Sequence, residues 1–282
     1  GLESRGILAE VEPDRPAVRA WHLVATLPAG LYILLRLLAL VAPPALWGAD
    51  GLLYYGPLVR AAFIAVPLAT MTVPVLALPP SFGPTVLRAF ASRRLPWALF
   101  FGAIPLLWLG RVRAHTLGDS SKWFAVVDNA IRQYRPFSEI HSLDLPGLEF
   151  VNFQQALDLT AHVGVYSLLH AFGIDQAKVA YEAVSIVAGG LYLVALWSLS
   201  RRLSGSMRDR LAVFGFFASL GTLQLFCGYG ENYTLVTLLC VLYLTFAIDS
   251  LRGDRPLWQA AAVLALAGAI LRSSPLAPSS LG

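Results

Sequence analysis

The chain has 282 residues, of which 57% are hydrophobic and 13% are charged, and its formal net charge is +4. Soluble domains carry about 25% charged residues, so the composition excludes an ordinary soluble domain and favours an integral membrane protein. The two cysteines both lie in apolar runs, which excludes a disulfide framework and a cysteine zinc site.

Seven apolar runs, most of them close to the roughly 20 residues that a helix needs to cross the hydrocarbon layer, predict membrane-spanning helices. They are residues 22–42, 52–78, 95–110, 179–199, 211–228, 233–249 and 257–271. The sequence therefore predicts an all-α fold, a polytopic transmembrane helix bundle of about seven spans. It forms a single integral membrane domain, residues 1–282, in which residues 1–21 are expected to be a cytoplasmic N-terminal segment.

Arginine-rich loops set the orientation of the spans, because short loops of this kind stay on the cytoplasmic side. Three loops have this composition, namely 85–94, 200–210 and 251–256. They are expected to be the inner ends of membrane hairpins, not a nucleic-acid-binding patch. With these loops inside, the segment 111–178 lies outside. The apolar run 151–170 cannot also cross, since that would move the 200–210 loop outside, so we expect this run to lie along the outer interface.

The pattern within the run 151–170 agrees with an interfacial helix, because polar side chains share one face of it. The polar stripe consists of Gln155, Asp158, His162, Tyr166 and His170, and the opposite face of Leu157, Ala161, Gly164 and Leu168. Asp158 and His162 are four residues apart, so their side chains can pair or share a metal ion. Because no third ligand follows at helical spacing, the pattern favours a hydrogen-bonded pair.

An acidic motif, HTLGDSSKWF (115–124), opens the outer segment after the third apolar run. Gly118 permits a sharp turn, after which Asp119 can cap a helix. Alternatively, Asp119 is a carboxylate held at the membrane surface as a general base or a metal ligand. Arg111 and Arg113 come just before it, where they either snorkel to the interface or clamp a phosphate.

A second acidic motif, GYGENYT (228–234), is the short outer connection between two apolar runs. Glu231 and Asn232 lie in it, between Tyr229 and Tyr233. Acids at membrane depth are costly and usually functional, so this turn is a candidate site. The alternative is a solvated tight turn with interfacial tyrosines. Both acidic motifs are expected to open on the same, outer side of the membrane.

In their order, these parts resemble the GT-C superfamily of membrane glycosyltransferases. An outward-going helix leads into an acidic motif, the interfacial pattern LDLTAHVGVYSLLHAFG (157–173) follows, then the span YEAVSIVAGGLYLVALWSLSRRL (181–203), and last the acidic turn GYGENY. The resemblance covers about residues 95–250 and looks most like the protein O-mannosyltransferases and lipid A aminoarabinose transferases. It implies a GT-C-like fold with more spans after residue 271, so the tail LRSSPLAPSSLG is expected to mark a truncated chain.

The resemblance implies transfer of a sugar from a polyprenyl-phosphate carrier to an acceptor on the outer face of the membrane. Asp119 matches the family's catalytic base, and Glu231 matches a second acidic residue. For the carrier phosphate we expect Arg111, Arg113 or Lys122. Contacts with the sugar, the acceptor or the rim of the site are expected from Asn232, Tyr229, Tyr233, His162 and Tyr166, and Glu182 is expected near the same face.

The expected chemistry is a single displacement, because a carboxylate can take the acceptor's proton while cations hold the leaving phosphate. Without a covalent nucleophile, inversion at the sugar C1 is expected. A divalent metal is compatible with the acidic motif, although Ser120 stands where many family members have a second acid. The usage of Ala, Leu, Arg and Gly suggests a GC-rich bacterium, and hence a cytoplasmic membrane with the active face outward.

Two other classes of function stay open on the sequence. A transporter is favoured by Arg36 within the first apolar run and by Pro67 and Pro74 within the second. Against it, the polar groups collect at the outer face and do not form a chain through the spans. A non-catalytic membrane scaffold would need neither Asp119 nor Glu231.

Overall fold

The computed structural model describes part of the chain, and that part is helical. The described residues are 30–31, 33–41, 55–72, 92–112, 123–125, 127–128, 156–219, 221–228, 230 and 233–271. No β-strand occurs among them, so the all-α prediction is confirmed for the described residues. The predicted N-terminal segment 1–21 lies outside them.

Eight helices can be delimited in the described ranges. They are α1 (residues 30–41, of which residue 32 is not described), α2 (Pro57–Thr72), α3 (Leu95–Leu109), α4 (Ala156–Ala171), α5 (Ala177–Leu203), α6 (Met207–Ser219), α7 (Thr234–Leu251) and α8 (Leu257–Leu271), with a 3-10 helix at Gly221–Phe226. Two of them, α5 and α7, are long and apolar enough to cross a membrane, and α3 and α8 are shorter apolar helices.

The predicted span 211–228 is not one helix in the structure. Helix α6 ends at Ser219 and a 3-10 helix begins at Gly221. Glycine is a poor helix former, and the backbone carbonyl of Leu225 accepts a 2.7 Å hydrogen bond from the Ser185 hydroxyl. Ser185 of another helix therefore stabilises the segment after the break. A hydropathy pattern cannot reveal such a contact.

Helix α5 is longer than its apolar run predicts. It begins at Ala177, whose backbone N–H donates to the Asp128 carboxylate at 2.9 Å, 49 residues away in sequence. The first N–H groups of a helix lack partners within it, so this distant carboxylate caps the helix. The sequence did not predict this cap, because a capping residue is expected directly before the helix and Asp128 is far from it in sequence.

The described residues form two compact units, the first drawn from Gly1–Pro96 and Leu196–Gly221, the second from Trp97–Ala195 and Thr222–Gly282. In the first unit, α2 packs against α6. Ile33 of α1 lies in an apolar cluster with Ile64 and Phe216. Arg36 is buried on the same helix, as its place within an apolar run predicts.

In the second unit, α5 lies very close to its neighbours at two consecutive glycines. A Cβ atom on Gly189 would come within 2.6 Å of Leu107 Cδ1 and of Phe226 Cβ, and one on Gly190 within 2.9 Å of Phe100. The backbone of α5 therefore lies closer to α3 and to the 3-10 helix than any residue with a Cβ atom would permit. Helices α7 and α8 pack against each other as a hairpin, and α8 also contacts α4.

We predict that Gly189→Ala destabilises the protein by about 1–3 kcal/mol, because Phe226 Cβ is held by its own backbone and cannot move aside easily. The measurement is thermal unfolding in detergent. Gly164→Ala is the matched control, since a Cβ on Gly164 of α4 meets nothing within 4 Å and alanine favours the helix by about 0.5–1 kcal/mol. Equal unfolding temperatures for the two variants would contradict the packing described.

Candidate functional site

The structure describes four of the predicted site residues. They are Arg111, Tyr233, His162 and Tyr166. Six others, Asp119, Arg113, Lys122, Tyr229, Glu231 and Asn232, lie outside the described residues. Their roles stay predictions, but the backbone that leads into each acidic motif is described, as far as Val112 for the first and as far as Gly228 and Gly230 for the second.

Arg111, directly after α3, contacts a buried acid on α5. Its Nε lies 3.5 Å from Oε2 of Glu182, whose other oxygen lies 3.7 Å from Nζ of Lys178. The Arg111 Nη1 donates to the carbonyl of Trp108 at 3.0 Å, and its Cζ lies 4.3 Å from the centre of the Trp108 ring. Carboxylate, carbonyl and ring together fix the plane of the guanidinium, whose side chain keeps 29% exposure.

The turn at Gly228 meets this ion pair. Gly228 has a φ of +69°, and a Cβ there would lie 3.1 Å from Arg111 Cβ and 3.3 Å from Glu182 Cγ. One residue earlier, the carbonyl of Cys227 accepts a 2.9 Å hydrogen bond from the N–H of Val112. The start of the segment that contains Asp119 and the start of the turn that contains Glu231 are therefore joined by a backbone hydrogen bond.

One face of α5 contacts the stretch 222–228. Along this face Glu182, Ser185, Gly189 and Tyr192 follow at intervals of three or four residues, which places them in one row on a helix. Glu182 touches Gly228, Ser185 donates to the Leu225 carbonyl, and Gly189 makes room for Phe226. The Tyr192 hydroxyl is 3.0 Å from Thr222 Oγ1, and its ring stacks on Phe226 with centroids 4.6 Å apart. We call these four residues the α5 row.

Sequence reasoning anticipated Glu182 but missed the rest of the α5 row, together with the cap from Asp128. A usable signal was present in the sequence, because small and polar residues recur at helical spacing within an otherwise apolar run. The sequence could not show which segment packs against these residues, since the 3-10 segment was itself not predicted.

Helix α4 turns its polar stripe inward. Asp158, His162 and Tyr166 are each at most 1% exposed, whereas Leu157 is 41% and Leu168 60% exposed on the opposite face. The inner side of α4 is not only polar, because Leu159 and Val163 are also buried there, at 8% and 6% exposure. Three of the five residues of the predicted stripe are therefore buried, whereas His170 is exposed and Gln155 lies outside the described residues, and on the predicted opposite face Leu157 and Leu168 point away from the protein.

The predicted pairing of Asp158 and His162 is confirmed as a close contact. His162 Nδ1 lies 3.1 Å from the Asp158 carboxylate and 2.8 Å from the backbone carbonyl of the same residue. A carbonyl only accepts, so Nδ1 carries the proton. The imidazole stacks on the ring of Tyr181 with centroids 3.8 Å apart. Since the Nδ1 proton points to the backbone carbonyl, the Asp158 carboxylate oxygens accept no well-aligned hydrogen bond from the described residues, and among these residues the buried Tyr181 hydroxyl also has no hydrogen-bond partner.

Tyr166 donates a 2.6 Å hydrogen bond to the Asp175 carboxylate in the turn before α5, and His170 Nδ1 lies 3.4 Å from the same oxygen. Burial raises the pKa of the Tyr166 phenol, and the hydrogen bond to Asp175 and the nearby charge of Asp128 raise this pKa further. The phenol therefore stays protonated and acts as a donor. Sequence reasoning placed His162 and Tyr166 at the rim of a site. In the structure both are buried, Tyr166 in a core cluster with Trp123 and Val127, and His162 stacked on Tyr181 of the same cluster.

Tyr233 is 49% exposed and lies directly before α7. Beside this helix start lies an apolar groove of about 230 Å³. Leu235 and Leu238 of α7, Val165 of α4 and five residues of α5 line it, the five being Ala183, Val184, Val187, Ala188 and Leu191. Over the described part of the chain, no group of three histidine, cysteine or acidic side chains is arranged to hold a metal ion.

Comparison of the chain with protein-family models, with curated proteins and with solved structures found no match.

We predict that His162→Leu destabilises the protein by about 3–5 kcal/mol, because it leaves the buried Asp158 carboxylate without the imidazole that contacts it. Adding Asp158→Asn removes the charge at nearly constant volume and should recover part of the loss. The measurement is unfolding in detergent for wild type, both single variants and the double variant. Additive losses in the double variant would show that the two side chains are not energetically coupled.

Proposed function

We propose that this chain is a membrane glycosyltransferase of GT-C type, built as a bundle of about seven spans. It moves a sugar from a polyprenyl-phosphate carrier to an acceptor at the outer face of a bacterial cytoplasmic membrane. The proposal is supported by the order of motifs in the sequence, by the apolar surface of the helices and by the geometry around Arg111.

The surface of the helices supports a lipid environment. Large apolar side chains are strongly exposed on α3, α7 and α8. Examples are Leu106 at 70%, Leu109 at 74%, Leu251 at 87%, Leu257 at 70% and Trp258 at 67%. Such contiguous apolar faces are unfavourable in water and favourable in hydrocarbon. The outward apolar face of α4 fits the same environment, as a helix lying in the interface.

A single observation carries the proposed site, namely that Arg111, Glu182 and Gly228 are in contact. Asp119 is eight positions after Arg111 in the sequence, and Glu231 is three positions after Gly228. The two acidic motifs therefore start from one place, although most of the second unit lies between them in sequence. A cation held beside the start of both motifs suits a reaction whose leaving group is a phosphate.

The apolar groove supports a lipid-linked donor. It lies between α4, α5 and α7, and its α7 side begins one residue after Thr234, close to the Glu231 turn. About 230 Å³ of apolar space suits a few isoprene units of a longer chain. In this proposal the polyprenyl tail occupies the groove and its phosphate lies at the level of the acidic turn.

In the proposed reaction, the acceptor oxygen forms a bond to the sugar C1 while the bond from C1 to the phosphate oxygen breaks. The electron pair of that bond leaves with polyprenyl phosphate, whose charge is stabilised by Arg111, Arg113 or Lys122. Asp119 takes the proton of the acceptor hydroxyl. Glu231 and Asn232, with the neighbouring Tyr229 and Tyr233, orient the sugar or the acceptor.

We predict that Asp119→Asn lowers kcat by about 10²–10⁴, which is what loss of a general base costs, and that Glu231→Gln also lowers transfer. The assay follows labelled sugar from a polyprenyl-phosphate donor in membranes that contain the protein. Asp254→Asn, in the exposed turn between α7 and α8, is the control and should leave transfer unchanged. Wild-type transfer by Asp119→Asn would exclude Asp119 as the base.

We further predict that both acidic motifs are accessible from outside. Single cysteines at Ser120, Asn232 and Ser206, in a background of Cys227→Ala and Cys240→Ala, are labelled in spheroplasts with a membrane-impermeant maleimide. Positions 120 and 232 should react, and position 206 should react only after lysis. Labelling of position 206 but not of position 232 in intact spheroplasts would separate the two motifs and contradict the proposed site.

A further inference from the structure

The ion pair of Glu182 is unusual for its position. Glu182 is 4% exposed and lies in the second turn of α5, one of the two helices apolar enough to cross a membrane. A buried carboxylate is costly unless it is paired. The pairing distances of 3.5 Å and 3.7 Å are longer than those of tight salt bridges, so stability alone is a weak reason for a glutamate here.

The contacts of Glu182 instead fix other groups. Its Oε2 faces Nε of Arg111, which orients the guanidinium together with the ring and carbonyl of Trp108. Its Cγ lies against Gly228, at the start of the turn that leads to Glu231. A planar guanidinium binds phosphate well only in a defined orientation, so a group that sets this plane also sets the affinity for a phosphate.

We infer that Glu182 is a positioning residue, which holds Arg111 beside Gly228 in the orientation that binds the phosphate of the lipid-linked donor. This inference rests on the proposed function. It predicts a specific kinetic signature, because misplacing a phosphate-binding arginine weakens donor binding, whereas general destabilisation lowers the amount of active enzyme.

The test compares Glu182→Gln with a matched variant at a second buried acid. Asp249 of α7 is 6% exposed, and its Oδ2 lies 3.1 Å from Nε of Arg255. It is 15 residues after Thr234, or about 22 Å along the helix, and so far from the Glu231 turn. Asp249→Asn therefore breaks a comparable buried pair without touching Arg111.

For each variant, kcat and the KM values for the polyprenyl-phosphate sugar and the acceptor are measured, with unfolding in detergent. Glu182→Gln should raise the donor KM about tenfold, within the range for coupled groups in contact, and leave the acceptor KM unchanged. Glu182→Asp should fall between it and wild type. Asp249→Asn should lower the unfolding temperature and leave the donor KM unchanged.

A double-mutant cycle adds a second readout. If Glu182 acts through Arg111, the donor KM of Arg111→Met with Glu182→Gln should equal that of Arg111→Met alone. Multiplied effects, or an unchanged donor KM in Glu182→Gln, overturn the inference while the proposed function stands. Absence of sugar transfer by the wild-type protein overturns the proposed function and this inference with it.

Discussion

The need to satisfy backbone polar groups in an apolar surrounding governs the second unit. A 3-10 segment makes poorer hydrogen bonds than an α-helix, and an unpaired carbonyl in hydrocarbon costs several kcal/mol. The α5 row contributes to meeting this need, because Ser185 donates to the Leu225 carbonyl, while Tyr192 holds the segment through the Thr222 hydroxyl. Because Gly189 has no side chain, the 3-10 segment can lie directly on α5. This contact fixes where the segment ends, and hence the position of Gly228.

The same constraint explains why α4 places its polar stripe inside. On a helix that faces hydrocarbon, polar groups are stable only against the protein, so apolar residues take the outer side. Asp158 and Tyr166 then find partners in His162 and Asp175, while Leu157 and Leu168 stay exposed. In the proposed membrane protein, these exposed residues of α4 would face the membrane interface.

The sequence predicts contiguous helices well and their partners poorly. Hydropathy located α3, α7 and α8 to within two residues at each end, because length and apolar content are local properties. It also found the stripe on α4, but periodicity cannot tell which face meets the protein. The break after Ser219, the cap from Asp128 and the pairing of Arg111 with Glu182 depend on residues distant in sequence, and a local pattern contains no information about them.

Glu182 of α5 and Asp249 of α7 are both buried acids that pair with an arginine. The first pair joins residues distant in sequence, and the second joins residues close in sequence. Asp249, Arg255 and the nearby Phe246 and Gln259 all belong to one hairpin, which its own turn closes. That pair can be explained as part of the turn. Glu182 and Arg111 instead join three separate segments, and ordering such a long connection costs conformational entropy. At 3.5 Å and 3.7 Å the pairing of this buried carboxylate is loose and returns little stability for its desolvation, so the proposed role in positioning Arg111 is the better reason for it.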